Sequence, residues 1–359
     1  MIVTTIGIDL AKSVFQVHGV NSNGHAVLRK PLKRAQFLSF FANLPPCLIG
    51  MESCCGSHYF ARQLEALGQT VRLMARQFVK PYVKSNKNDA NDAEAICEAV
   101  SRPHMRFVQA KNVEQQAVLM MHRLRQGFVA QRTAQVNQIR GLLMEFGIVY
   151  PKGIAANHRI PELLDSENNG IPGRARLLFR RLYEYVLELS AQIKSIDEQI
   201  KAWHRETPAS QRLQRIPGIG RLTASAIVAS VGNACVFKTG RQMAAWLGLV
   251  PRQHSSGGKP VLRGISKRGD VYIRKLLVLG AHAVIRHQRV TAPSGSTGWL
   301  QRLLARRNIH VAAVALANKN ARIAWALLAK DREYRPGYNR SEATSALKNL
   351  FWGYFSREC

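Results

Sequence analysis

The sequence predicts an α/β domain built on a mixed sheet, followed by a long helical hairpin and a mostly helical, basic domain. Short strand-like runs fill the first hundred residues and alternate with helical segments after the third run. Beyond them, apolar residues recur at helical spacing, and residues 201–359 contain 27 Lys and Arg but only 6 Asp and Glu. We therefore expect domains at residues 1–105, 106–207 and 208–330, and a loosely packed tail at residues 331–359.

The first domain is predicted from runs of β-branched and apolar residues separated by turn residues. The expected strands, in order, are residues 2–9, 14–20, 26–32, 47–52 and 70–75. The expected helices are residues 34–44, residues 57–67 before Gly68, and a segment rich in Ala and acid that opens at Asp89. This order indicates a mixed sheet with helices packed on it.

Two later segments have helical periodicity over unusual lengths. Apolar residues recur at helical spacing through residues 113–147 and again through residues 174–204. The residues between them are rich in Pro and Gly, which break helices. The pattern predicts a long antiparallel helical hairpin, a type of connector that often separates domains or mediates oligomerisation.

The charge of the chain points to a polyanionic partner. The net charge is +30 over 359 residues, and 46% of the residues are hydrophobic, enough for a sizeable core. Such an excess of positive charge is far more than solubility needs, and nucleic acid is the commonest polyanion that basic proteins bind.

The composition also excludes several classes of protein. The 6 cysteines form no C-x-x-C pair and no Cys/His cluster with zinc spacing. Scattered free thiols suit a reducing cytosol. The N-terminus has no basic segment followed by a long apolar run, and no stretch of about 18 uncharged apolar residues exists. We therefore expect a cytoplasmic, nucleoid-associated protein with no membrane span.

Acidic residues close two of the predicted strands and open a helix. Asp9 and Glu52 end strands, and Asp89 and Asp92 are spaced to share one face of the helix that follows the fifth strand. Four carboxylates converging there could bind two Mg²⁺ ions for phosphoryl transfer. Taken singly, each acid is more simply interpreted as a turn residue, a helix cap or a partner of the helix dipole. The ordered set favours a metal site.

A glycine-containing turn lies between helical segments at residues 217–220. It is similar to the hairpin of helix-hairpin-helix modules, in which Gly218 and Gly220 would let backbone N–H groups approach a DNA phosphate. A plain turn between two helices is an equally good interpretation.

A Ser/Gly-rich loop follows at residues 255–259, predicted to be flexible. The loop ends in Lys259 and is flanked by Arg252, Arg263, Lys267 and Arg268. A serine that attacks a phosphate needs cations to hold the phosphate and offset its developing charge. From the pattern alone, an ordinary Ser/Gly turn whose basic neighbours touch phosphates is the simpler interpretation.

Three motifs together resemble one family of insertion-sequence transposases. GIDLAK at residues 7–12, GMES at 50–53 and KNDANDAEAI at 87–96 are similar to the DEDD domain of the IS110 family, in particular its IS1111 subgroup. That domain resembles RuvC-type junction resolvases and has the RNase H fold. Residues 216–277 are similar to the family's C-terminal transposase domain. Asn88 stands where the family pattern has Thr.

The resemblance implies specific roles for several residues. Asp9, Glu52, Asp89 and Asp92 would be catalytic acids that bind Mg²⁺ or Mn²⁺. Ser256 would be the nucleophile that forms a covalent phosphoserine link to DNA, with Ser255 as the alternative because the two serines are adjacent. The resemblance further implies a structured RNA that bridges donor and target DNA, and a tetramer in which acids and serine act across a protomer boundary.

Four other functions remain open on the sequence. The chain could be a metal-dependent resolvase or nuclease that uses no serine, or a DNA invertase with the same chemistry. It could also be a nucleic-acid-binding protein without catalysis, or an RNA-processing enzyme with the same fold.

Overall fold

The computed structural model describes residues 2–84, 88–153, 158–291 and 298–335. The chain divides into two compact units, Met1–Ala117 and Val118–Cys359. The strands are β1 (Thr5–Asp9), β2 (Val14–Val20), β3 (Ala26–Lys33), β4 (Leu48–Glu52), β5 (Thr70–Met74), β6 (Phe107–Val108), β7 (Pro251–Gln253) and β8 (Leu262–Ile265). The helices are α1 (Phe37–Ala42), α2 (Ser57–Ala66), α3 (Arg76–Val79), α4 (Asp89–Val100), α5 (Val113–Met144), α6 (Ile160–Asp165), α7 (Gly173–Glu206), α8 (Pro208–Gln214), α9 (Arg221–Val231), α10 (Gly240–Trp246), α11 (Val271–Thr291), α12 (Trp299–Arg306) and α13 (Ile309–Ala329).

The first unit contains a six-stranded mixed sheet with the order β3-β2-β1-β4-β5-β6. β1, β4 and β5 are parallel, whereas β2, β3 and β6 pair antiparallel with their neighbours. This confirms the predicted mixed α/β class and is consistent with an RNase H-like domain. β6 was not among the predicted strands, because a two-residue strand carries no periodic pattern.

Helices cover both faces of this sheet, and the side chains of β1 show why. Ile6 and Ile8 are fully buried in one apolar cluster with residues of α1 and α2. Gly7, between them in β1, faces α4, because successive residues of a strand point to opposite faces. The predicted helix at residues 34–44 is shorter than expected, a 3₁₀ turn at Arg34–Gln36 followed by α1.

The second unit begins with two long helices that run antiparallel. Arg125 of α5 pairs with Asp197 of α7, and Arg132 of α5 donates to Ser190 of α7. The later residue of α5 contacts the earlier residue of α7, so the two helices are antiparallel. Apolar residues of both helices, with α6 between them, form one buried cluster near the turn.

The C-terminal helices share a separate core. Buried aliphatic residues of α8 to α13 pack in one cluster that is rich in Ala, Ile and Leu. The structure describes the predicted tail only as far as Arg335. In this part of the tail, Asp331 pairs with Arg212 and Glu333 pairs with Arg215. The rest of the tail, 336–359, lies outside the described residues. Among the described helices, none combines the length and apolarity that a bilayer span requires.

A buried histidine ties three helices of the second unit together. His122 of α5 lies 3.1 Å from the Tyr272 hydroxyl of α11 and 3.1 Å from the Ser225 hydroxyl of α9. The Ser225 hydroxyl itself donates to the Arg221 carbonyl, so it accepts from the imidazole, which in turn accepts from Tyr272. Burial, aided by nearby Arg125, lowers the pKa of His122 to about 4.

This histidine should make the stability of the protein fall in mild acid. The folded-state pKa lies below the ordinary value of 6.5, so the unfolded state binds the extra proton between these values. The free energy of unfolding should therefore be constant above pH 6.5 and about 2 kcal/mol lower at pH 5 on account of this group. Urea unfolding of the wild type and of His122→Gln between pH 5 and 7.5 checks this. Equal slopes for the two proteins would contradict it.

Candidate active site

Two of the predicted acids lie at the same edge of the sheet. β1 and β4 are parallel neighbours with Ile8 opposite Met51, so Asp9 and Glu52 follow side by side at the strand ends. Both strands have the pattern Gly-x-acid. Since alternate residues of a strand share a face, each acid points to the face that its glycine occupies, the face covered by α4.

The first turn of α4 supplies the other two acids. Asn88 caps the helix by accepting a hydrogen bond from the Ala90 amide at 3.0 Å. Asp89 and Asp92 follow in the first turn, where the helix dipole favours negative charge. Asn and Thr both serve as N-caps, so the departure from the family pattern at Asn88 keeps the local structure that presents these acids.

Two glycines let α4 lie directly on the sheet. A methyl group placed on Gly7 would come under 3.0 Å from backbone atoms of Ala93 and Cys97. A methyl group on Gly50 would lie 2.8 Å from the Val100 side chain. The close approach of helix to sheet at Gly7 is what brings the first turn of α4 to the end of β1.

The result is a compact group of carboxylates. Oxygen atoms of Asp9, Asp89 and Asp92 lie within 4.8 Å of one another, with Asp9 and Asp92 half-buried and Asp89 exposed. A set of carboxylate oxygens at this spacing suits a hard divalent cation such as Mg²⁺ or Mn²⁺. The residues present therefore fit a divalent metal.

Glu52 stands beside this group and is not one of the three residues that converge. Burial raises the pKa of Glu52, nearby Arg76 lowers it, and the negative charges of Asp9 and Asp92 raise it further. These influences place the carboxyl within electrostatic reach of the cluster. Arg76 opens α3, just past the end of β5, the next parallel strand.

The remaining acids of α4 form ion pairs at the protein surface. Glu94 lies 3.5 Å from Arg29, and Glu98 lies 3.1 Å from Lys84 and 2.6 Å from Arg102. These ion pairs neutralise Glu94 and Glu98. Within the described residues, Asp89 and Asp92 have no ion pair with Lys or Arg.

Replacing Gly7 by alanine should displace α4 and disrupt the acidic cluster. The new methyl group would meet helix backbone, which cannot rotate away, so we expect a loss of about 3 kcal/mol of stability. Any rise in melting temperature on adding Mg²⁺ should be lost as well. Thermal unfolding with and without Mg²⁺ measures both effects.

Gly141→Ala is the matched control, because Gly141 lies in α5 with open space around its Cβ position. It should leave stability unchanged or raise it by up to about 1 kcal/mol. A Gly7→Ala protein as stable as the wild type would show that α4 does not depend on this close approach.

The Ser/Gly segment forms the tip of a β-hairpin instead of the flexible loop predicted. Ser256 and Lys259 form a bridge on either side of Gly257 and Gly258, whose φ angles of 55° and 74° close a two-residue turn. Below the tip, the His254 amide donates to the Val261 carbonyl at 2.9 Å. The whole tip is exposed.

The two adjacent serines have different environments on this hairpin. The Ser255 hydroxyl accepts hydrogen bonds from the Gln253 side chain at 2.8 Å and from the Val261 amide at 3.3 Å. Ser256 points to the opposite face, and within the described residues its exposed hydroxyl makes no hydrogen bond. Of the two, Ser256 is the one whose hydroxyl remains available.

The predicted phosphate-binding cations differ in how firmly they are held. Arg252 and Lys259 lie on the exposed hairpin. Lys267 and Arg268 follow β8, where the Lys267 amide donates to the Gly248 carbonyl at 3.1 Å. The buried guanidinium of Arg274 donates to the Arg268 carbonyl at 2.9 Å. The side chains of Lys267 and Arg268 therefore extend into solvent from a fixed backbone.

The glycine turn at residues 217–220 joins α8 to α9. A methyl group on Gly218, whose φ is +87°, would lie 2.9 Å from the Gly280 carbonyl oxygen of α11. Packing against α11 is thus sufficient reason for glycine at this position. Among the described residues nothing lies near the Cβ position of Gly220, so the turn can approach a ligand closely there.

The family comparisons are consistent with this geometry. One family model, described as "Transposase IS116/IS110/IS902 family", matches residues 210–294. A second, the DEDD transposase model of IS110 elements described as "Transposase", matches residues 6–148. The chain is 54% identical to a "Probable family 20 transposase" of Pseudomonas aeruginosa, over 94% of this chain and 100% of that protein.

Two further relatives carry the names of insertion sequences. The chain is 45% identical to "Transposase for insertion sequence element IS1111A" of Coxiella burnetii, over 92% of this chain and 91% of that protein. It is 44% identical to "Transposase for insertion sequence element IS1328" of Yersinia enterocolitica, over 90% and 96% respectively. This chain belongs to the IS110/IS116/IS902 family of transposases.

The transposase is therefore an enzyme that acts on DNA, since members of this family catalyse DNA cleavage and strand transfer. Its DEDD domain contains the acidic cluster and implies a divalent metal. Its second family domain contains the glycine turn and the β-hairpin.

Gly7 and Gly50 lie within the GIDLAK and GMES motifs, but the motifs alone indicated no role for them. The signal was present, since both precede a strand-end acid by two residues, and a glycine inside a strand marks a close approach of backbone.

Proposed function

We propose that this transposase breaks and rejoins DNA through a covalent link between Ser256 and a DNA phosphate. The observation that carries this proposal is the contrast between the two serines. Ser255 is held by two hydrogen bonds, whereas the Ser256 hydroxyl makes none with the part of the chain that the structure describes and lies beside Lys259 at the tip of an exposed basic hairpin. A nucleophilic hydroxyl needs this accessibility, together with cations that hold the phosphate.

The acidic cluster would supply the metal site of the reaction. Asp9, Asp89 and Asp92 would hold Mg²⁺ or Mn²⁺, with Glu52 beside them, and all four are proposed catalytic acids. A divalent metal there stabilises negative charge on the reacting phosphate. The carboxylates would hold the metal at the edge of the sheet, where Asp89 is exposed.

Cations and the glycine turn would hold the nucleic acid. Arg252 and Lys259 flank Ser256 on the hairpin, and Lys267 and Arg268 extend into solvent from a fixed backbone. Such side chains contact phosphates without reading sequence. We also propose that Gly220, and Gly218 within the same turn, let the backbone at residues 217–220 approach a DNA strand.

We also propose membership of the IS1111 subgroup, a structured RNA that guides target choice, and a homotetramer. We further propose a division into a DEDD domain at 1–105, a connector at 106–207, a serine transposase domain at 208–330 and a tail at 331–359. The excess charge of residues 201–359, with 27 Lys and Arg against 6 Asp and Glu, suits RNA as well as DNA.

Trapping and mapping an adduct would test the serine mechanism. The full chain is incubated with Mg²⁺, a duplex containing the joined ends of its insertion sequence, and the transcript of the flanking non-coding DNA. After denaturation and nuclease digestion, mass spectrometry should find a nucleotide on the tryptic peptide that contains Ser256. Metal-dependent cleavage without any adduct would favour the resolvase alternative, which the acidic cluster alone could also support.

A further inference from the structure

The β7–β8 hairpin sorts its side chains onto two faces. Gln253 pairs with Leu262, His254 bonds to Val261, and Ser256 bridges to Lys259, which is one continuous antiparallel register. Paired residues share a face, and alternate residues along each strand do so too. His254, Ser256 and Lys259 therefore lie on one face, together with Val261. Gln253, Ser255, Pro260 and Leu262 lie on the other.

Reactive groups are thus confined to one side of the hairpin. The opposite face carries no charged side chain between Gln253 and Leu262, and the pairing shifts register only beyond Gln253, toward Pro251. His254 is two residues from Ser256, a spacing of about 6.6 Å along a strand, which an imidazole leaning along the strand can bridge. Lys259 lies directly across from Ser256, about 5.5 Å away between Cα atoms.

A serine hydroxyl needs a proton acceptor when it attacks phosphorus. Residues 251–265 contain no Asp, Glu, Cys or Tyr, so the groups of the hairpin that could accept a proton are His254 and Lys259. Imidazole is the commonest general base in enzymes. The charged groups of the hairpin are Arg252, Lys259 and Arg263, all of them cationic.

We propose that His254 is the general base that accepts the proton of the Ser256 hydroxyl. This inference rests on the proposed role of Ser256 and extends it. As the serine oxygen forms its bond to phosphorus, the hydroxyl proton moves to the imidazole. The bond from phosphorus to one sugar oxygen breaks, and solvent water protonates that oxygen as it leaves. Lys259 holds a phosphate oxygen from the facing strand.

The rate of adduct formation against pH tests this assignment. The full chain is combined with the joined-end duplex, the flanking transcript and Mg²⁺, and the adduct is quantified on denaturing gels between pH 5.5 and 9. The wild-type rate should rise with pH and then level off as the base becomes deprotonated. His254→Gln should be about 100-fold slower near pH 7 and should keep rising with pH, because hydroxide must replace the base.

Chemical rescue provides the second measurement. Adding imidazole should accelerate His254→Ala in proportion to its concentration and leave the wild type unaffected. His104→Gln, at an exposed histidine of the first unit, is the control for loss of a histidine as such. Lys259→Gln should weaken DNA binding and keep the levelling of the pH profile.

Two results would overturn the assignment of His254. One is a His254→Gln profile that levels off as the wild type does, and the other is an absence of imidazole rescue in a folded, DNA-binding His254→Ala protein. Failure of the serine mechanism itself is distinguishable. In that case the wild type would cleave DNA without any adduct, or Ser256→Ala would still form one, whereas failure of His254 alone leaves the adduct dependent on Ser256.

Discussion

Ser256→Ala should eliminate the covalent protein–DNA adduct and reduce strand transfer by about a thousandfold or more, since loss of a nucleophile removes the covalent pathway altogether. The substitution removes one exposed hydroxyl that makes no hydrogen bond within the described residues, so folding should be unaffected. DNA binding should also persist, because Arg252 and Lys259 remain. Adduct yield on denaturing gels, with DNA affinity measured in parallel, checks both expectations.

Ser255→Ala is the matched control, one residue away on the other face of the hairpin. It removes hydrogen bonds to Gln253 and Val261, which contribute about 1 kcal/mol each to the order of the hairpin. Adduct formation should therefore fall only severalfold. If Ser255→Ala abolished the adduct and Ser256→Ala did not, the register of the nucleophile would be wrong by one residue. If both variants retained full metal-dependent DNA cleavage without an adduct, hydrolytic cleavage by a metal-dependent resolvase would replace the serine mechanism.

Much of the first domain could be predicted because its strands have a buried face. In β1, the residues Ile6 and Ile8 are buried and the chain reads as a strand that ends in an acid. The parallel pairing of β1 with β4 could not be obtained from periodicity, since pairing depends on contacts distant in sequence. The hairpin was missed for a related reason. Its residues are exposed on both faces, so no alternation of apolar and polar residues marks the strands.

The sequence indicated which acids converge in the candidate site better than it indicated how they are arranged. The convergence of Asp9, Asp89 and Asp92 follows from the rule that strand ends meet at one edge and from the first turn of α4. The position of Glu52 just outside that group depends on side-chain packing, which spacing does not encode. At Gly218 the pattern left two interpretations equally open, an approach to DNA and a plain turn between helices. The structure adds a close packing contact with Gly280, and the approach to DNA stays a prediction.

Asp9→Asn should abolish metal-dependent cleavage while preserving the sheet. Asp9 lies at the end of β1, outside the apolar core, and asparagine has the same shape without the charge. Loss of one carboxylate ligand would weaken metal binding and cost several kcal/mol of transition-state stabilisation, which corresponds to a rate reduction of about a thousandfold. A readout independent of activity is the rise in melting temperature on adding Mn²⁺ or Mg²⁺, which should disappear because binding to the folded state causes it.

Glu94→Gln distinguishes a local metal site from a general effect of negative charge. Glu94 lies on the same helix as Asp92, but it pairs with Arg29 and Lys84 on the surface. Its replacement should leave both cleavage and the metal-dependent rise in melting temperature close to wild type. A surface ion pair contributes at most about 1 kcal/mol, so a small loss of stability is acceptable. If Asp9→Asn and Glu94→Gln lowered the metal response equally, the carboxylates would be acting as diffuse charge, and Asp9, Asp89 and Asp92 would not form a metal site.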